Sequence, residues 1–187
     1  KHLWMLFLGG VIISSIAFAP LLLDSSNIAF ILLALFVAIP AWLVGFSTPV
    51  FAWWSYSSSR FHLTTTRQQG EAMLIAGMLS TFPAIVINSF ITPGAVLLLT
   101  GGQASATLVE NITVIVSAPV GEELCKALAV FSLAGLIDSK KRGFQVGFTV
   151  GLGFALLENL QYILFSLFAG EVMAFSYGLT TVVRGIG

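Results

Sequence analysis

Glu122, Glu123 and Lys126 lie within one long apolar run of the chain, and Glu158 and Asn159 lie within the next. Carboxylates in a half-dry setting do proton chemistry. A glutamate there holds a water by hydrogen bonds and takes its proton as the water attacks a carbonyl. A second carboxylate close by separates the two into an acid and a base, and an amide or a cation beside them stabilises the oxyanion that develops. Glu122, Glu123 and Glu158 are the catalytic candidates; Lys126, Asn159 and Arg184 are the candidates for electrostatic and oxyanion support.

The stretch that must position these groups runs from Ala118 to Asn159, two apolar runs joined by the charged turn Asp138–Arg142. As antiparallel helices, the runs put Glu123 level with Glu158 and Glu122 level with Asn159. Lys126 sits one turn nearer the charged turn, because positions i, i+3 and i+4 share a helix face. At about 1.5 Å per residue the acids lie about 21–24 Å from that turn. That depth is inside a hydrocarbon layer about 30 Å thick. Ionisable groups there are costly and point by default to function. The bland alternative is a Glu122–Lys126 pair that merely holds helices together. Three acids against one base do not neutralise, which favours a site.

The chain has 187 residues, of which 57% are hydrophobic and 9% charged, with a mean hydropathy of +1.00. Soluble domains carry about 25% charged residues. Apolar runs over 3–23, 28–46, 72–91, 106–137 and 144–168, and a last one from Val172 that the sequence cuts short, give about six membrane spans at about 20 residues each. The fold class is therefore all-α, a polytopic transmembrane helix bundle. Residues 1–105 supply three spans with their connectors, and residues 106–187 hold the catalytic-type core. No basic patch supports a nucleic-acid partner. The single cysteine, Cys125, excludes an internal disulfide and reads as a small packing residue. The chain starts on Lys1 and stops in Arg184-Gly-Ile-Gly187, which reads as a longer protein cut at both ends.

Local signals add expectations. Trp53, Trp54 and Tyr56 suit the headgroup level, and a polar loop is expected from Ser57–Arg60 to Arg67–Gly70. Pro83 lies inside the third span, and Thr92-Pro93-Gly94 is expected to break it, leaving Leu97–Thr100 too short to cross. Pro119 and Gly121 predict a break or kink before the acidic pair, with a helix restarting near Gly121. Gly147 and Gly151 form a GxxxG pair that predicts close helix packing. Alternating sides along the spans places Arg60, Arg67, Lys140, Lys141 and Arg142 with Lys1, and Asp24 and Glu171 opposite. Positive residues mark the cytoplasmic side, so the Lys140–Arg142 turn is expected there, with the acids in the outer half of the membrane.

Residue types narrow the chemistry. The only histidines, His2 and His62, fall outside the spans and no HExxH occurs, so neither a zinc site of that kind nor a Ser–His dyad is supplied. Asp24 and Asp138 lie in turns, which removes an aspartyl dyad, and Cys125 lacks a histidine partner. Glutamate chemistry remains, with no cofactor and no metal ligand set in view.

Glu122-Glu123-x-x-Lys126 resembles the EExxK motif of PrsW-type intramembrane proteases, and Phe154-x-x-x-Glu158-Asn159 resembles their FxxxE(N) motif. The resemblance covers about Pro119 to Arg184 and extends to a wider superfamily of CAAX-prenyl endopeptidases and bacteriocin-processing membrane proteases. It implies an integral, multi-pass protein of a prokaryotic plasma membrane. It also implies glutamate-activated hydrolysis of a single-pass membrane substrate, often an anti-sigma factor. A histidine on a later span, beyond Gly187, is implied too, and Arg184 resembles the arginine on the helix before it. Two other readings of the same residues remain open. One is a non-catalytic scaffold or subunit of a larger membrane complex; the other is a proton-coupled transporter that uses the carboxylates as a relay.

Overall fold

The computed structural model describes Met5 and residues 48–61 and 64–168; among these, every regular element is a helix. Helix α1 spans Thr48–Phe61 and α2 spans Arg67–Val86. A π turn, Ile87–Ile91, leads straight into α3, Thr92–Leu99. Helix α4, Ala106–Ile112, runs through a second π turn, Thr113–Ser117, into α5, Ala118–Ser132. A 3₁₀ turn, Ala134–Leu136, precedes α6, Lys140–Phe168. The spans expected over 3–23 and 28–46 and from Val172 lie outside the described residues.

Helix α2 begins on a reciprocal cap. Thr66 Oγ1 accepts from the Gln69 backbone N–H at 3.2 Å, and Gln69 Oε1 accepts from the Thr66 N–H at 3.1 Å, so two orphan donors of the first turn are satisfied at once. The polar loop expected over 57–70 is accordingly shorter. Ser57–Arg60 finish α1, with the Ser57 hydroxyl donating to Trp54 O at 2.9 Å, and Arg67–Gly70 open α2.

The break expected at Thr92-Pro93-Gly94 does not occur. Proline lacks the N–H that an α-helix needs and its ring crowds the preceding turn, but here the wide turn absorbs it: Thr92 N–H reaches back five residues to Ile87 O. The helix then continues, and Arg67–Leu99 forms 33 residues in a row, with a mean hydropathy of 1.9 in its most apolar window. Among the described residues it is the one helix long and apolar enough to cross a membrane. It stops at Gly101 and Gly102, whose φ values of 59° and 79° suit glycine alone, and Ser105 caps α4 by accepting from Leu108 N–H at 3.2 Å. The same device handles Pro119. Ala118 N–H bonds Thr113 O, so the helix runs on through Pro119 and does not restart at Gly121. The Lys140–Arg142 cluster, expected in the turn, forms the first turn of α6, where the Ser139 hydroxyl caps Arg142 N–H at 3.2 Å.

The chain divides into two compact units, Met73–Phe154 in one and Lys1–Ala72 with Ala155–Gly187 in the other. Within the first, Met73, Val146 and Val150 are fully buried, with Ala129, Val130, Leu133 and Leu136 against them. In this unit α2 and α6 also approach backbone on backbone. A Cβ on Gly77 would stand 2.0 Å from Val150 O, and one on Gly153 would stand 2.1 Å from Leu74 O. Among the described residues the GxxxG pair plays no such part, since no atom of a neighbouring helix among them lies within 4 Å of a Cβ added at Gly147 or Gly151. Small residues do let membrane helices close in, but the pair at work is Gly77 on α2 and Gly153 on α6.

That contact makes a prediction. Gly77→Ala and Gly153→Ala should each cost about 1–3 kcal/mol of unfolding free energy, as overpacking does. Gly147→Ala and Gly151→Ala should stay within about 0.5 kcal/mol of the parent. Reversible unfolding in mixed micelles measures all four, and equal costs across the set would contradict the assignment.

Candidate functional site

Helix α5 carries Glu122, Glu123 and Lys126 over little more than one turn. Adjacent positions on a helix point about 100° apart, and the two glutamates accordingly have different partners. Glu123 Oε1 accepts from Lys126 Nζ at 2.8 Å, with the glutamate side chain 75% exposed and the lysine 24%. Glu122 is half-buried and hydrogen bonds the side chain of Asn88, in the π turn after α2. Gly121 makes that reach possible. It is buried, and a Cβ there would meet Ile87 Cγ2 at 3.2 Å and Asn88 Oδ1 at 3.8 Å, so even a methyl group would have to shift the Ile87 side chain.

Lys126 is placed from above as well as from beside. Its Nζ stands over the ring of Phe154, 4.3 Å from the centroid. An ion pair with one exposed partner contributes at most about 1 kcal/mol, whereas a desolvated cation over an aromatic face reaches about 2 kcal/mol. The ring and Glu123 together hold the ammonium. Cys125 packs beside it, buried with Ala84 and Phe154 and backed by Ile87, which bears out its reading as a packing residue. Phe154 is the first residue of the second motif, so this contact ties the two motifs together physically.

The site thus gathers Glu122, Glu123, Lys126 and Phe154 in one unit. Glu158 and Asn159, both half-buried, follow one turn after Phe154 on α6 and belong to the other unit. Arg184 lies outside the described residues, as do His2 and His62. Asn88, Ser117 and Thr92 are additions that motif reading does not supply. Ser117 Oγ donates to Asn88 Oδ1 at 3.4 Å, and the Thr92 and Ser117 hydroxyls bond each other. Each is a polar side chain in an apolar helix, the one available sign of a role.

The family model described as PrsW family intramembrane metalloprotease matches residues 66–187, well over half of the chain. Searches of curated proteins and of solved structures returned no match. The family description implies a metal ion. Among the described residues no group of three His, Cys, Asp or Glu side chains converges to hold one. Glu123 is engaged by Lys126 and Glu122 by Asn88. The described residues do not by themselves make a metal centre.

The cation–ring contact can be measured directly. A double-mutant cycle of Lys126→Met with Phe154→Leu, read by unfolding free energy, should return a coupling of about 0.5–2 kcal/mol. Phe154→Trp should keep Lys126 in place, and additive single losses would remove the contact from the account.

Proposed function

The chain belongs to the PrsW family of intramembrane metalloproteases, and on that premise we propose that it is a membrane endopeptidase in which Glu122 is the base. Water held by Glu122 attacks the scissile carbonyl carbon, and the glutamate takes its proton. The tetrahedral oxyanion forms beside the Lys126 ammonium, with Asn159 and Arg184 as further donors by family resemblance and Glu158 orienting the water. The proton then passes from Glu122 to the amide nitrogen, and the C–N bond breaks. The observation that supports this assignment is the split between the two adjacent acids: Glu123 spends its charge on Lys126, while Glu122 is turned inward and held by Asn88. A positioned base is what general-base catalysis requires.

The substrate class follows from the resemblance: a membrane protein or peptide, of the kind an anti-sigma factor represents. The setting we propose is a prokaryotic plasma membrane crossed several times, with Lys140, Lys141 and Arg142 on the cytoplasmic side, in line with the one-sided distribution of positive residues.

Two experiments test this reading. In cells producing the full-length protein, Glu122→Gln should lower the yield of protease-dependent new N-termini in the membrane fraction about 10²–10⁴-fold. Glu123→Gln, which strips Lys126 of its counter-ion, should also abolish cleavage. Glutamine keeps size and hydrogen bonding but cannot accept the proton, so wild-type cleavage in both variants would assign the polar cluster to helix packing instead. For topology, Ser139→Cys and Ser25→Cys should react with a membrane-impermeant thiol reagent from opposite faces; labelling of both from outside would overturn the span order.

A further inference from the structure

The hydrogen bonds around Glu122 have a direction that donor and acceptor chemistry dictates. Asn88 Oδ1 is a carbonyl oxygen and only accepts, and it takes the Ser117 hydroxyl proton at 3.4 Å. The amide's other end, the NH₂ group, is therefore the one that meets the Glu122 carboxyl. Ser117 has one proton and has given it to Asn88, so in its bond with Thr92 it accepts and Thr92 donates. The four side chains form one chain, each donating to the next: Thr92 to Ser117, Ser117 to Asn88, Asn88 to Glu122. All three supporting residues are partly buried, and aligned donors polarise one another in a low-dielectric setting.

The backbone explains why these residues meet. Asn88 lies in one π turn and Ser117 in the other, and the two wide turns pack against each other, with Thr92 opening α3. π turns of this kind recur at functional sites. Gly121, with no side chain, lets the Glu122 end of α5 close on the first of them.

We propose that Asn88 is the positioning residue of Glu122, and that Ser117 and Thr92 fix the orientation of the Asn88 amide. The proposal rests on the reading of Glu122 as the base. Asn88 acts through Glu122: it holds the carboxyl at one rotamer and leaves the second carboxyl oxygen to take a proton. Ser117 prevents the amide from flipping, which would set a carbonyl oxygen against the carboxylate.

The test reads the contact and the activity separately, on the full-length protein in lipid bilayers. Isotope-edited infrared spectroscopy of ¹³C-glutamate-labelled protein identifies the Glu122 carboxyl band as the one lost in Glu122→Gln. Asn88→Leu and Ser117→Ala should both displace that band, Asn88→Leu the more, and Ser117→Thr, which keeps the hydroxyl, should restore it. Cleavage, counted as new N-termini in membranes, should fall about 10²-fold in Asn88→Leu, the scale of a misplaced catalytic group, and Ser117→Thr should retain it. Ser117→Ala removes a single oxygen and serves where Asn88→Leu fails to fold. An unmoved band in Asn88→Leu or, failing that, in Ser117→Ala would overturn the positioning role while leaving Glu122 as the base wherever Glu122→Gln is inactive. A displaced band with cleavage intact in both Asn88→Leu and Glu122→Gln would remove Glu122 from the base role and the positioning inference with it.

Discussion

Two glycines set the geometry from which everything else follows. At Gly77 and Gly153 the helices approach until a single added carbon would stand about 2 Å from a carbonyl oxygen of the other chain segment. Gly153 is followed at once by Phe154, whose ring carries Lys126, and Lys126 in turn holds Glu123. Gly77 and Ala84 lie seven residues apart on one face of α2, and Asn88 follows in the π turn that continues it. Together they meet the Val150 backbone at Gly77, the Cys125–Phe154 cluster at Ala84 and Glu122 at Asn88. One close crossing thus places both ends of the polar cluster.

The motif residues were the legible part of this site, because charge in an apolar run is a loud signal. Glu122, Glu123, Lys126 and Phe154 are all marked by residue type and spacing, and the structure joins them through Lys126. Asn88 is quieter. A lone amide within an apolar run carries no spacing signature of its own, and its partner Glu122 is far away in sequence. The glycines mislead for a related reason. GxxxG reports that a helix face is small, but which face meets a neighbour depends on the partner helix, and Gly77 stands in no such repeat.

Proline misleads in a more instructive way. Its missing N–H and bulky ring argue for a helix end, and at Pro93 and Pro119 that argument leaves out a third option besides ending or sharply bending. A π turn placed just before the ring widens the helix by one residue and keeps it going. Both prolines use it, and both wide turns face each other. The Thr66–Gln69 cap was readable in principle, as Thr-x-x-Gln ahead of an apolar run is a start signal. It marks where α2 begins more sharply than polarity does, since the polar residues continue into the helix.

Cys125 has a use that its packing role does not suggest. It is the only cysteine of the chain, and its sulfur is sealed between Ala84 and Phe154, next in sequence to Lys126. A thiol so enclosed reacts only during moments when α5 lifts away from its neighbours, and local openings of that kind occur far more often than global unfolding. Its rate of alkylation by a small apolar reagent is therefore a clock for how often the two motifs part. The protein carries this reporter natively, at the joint where its two motif helices are pinned.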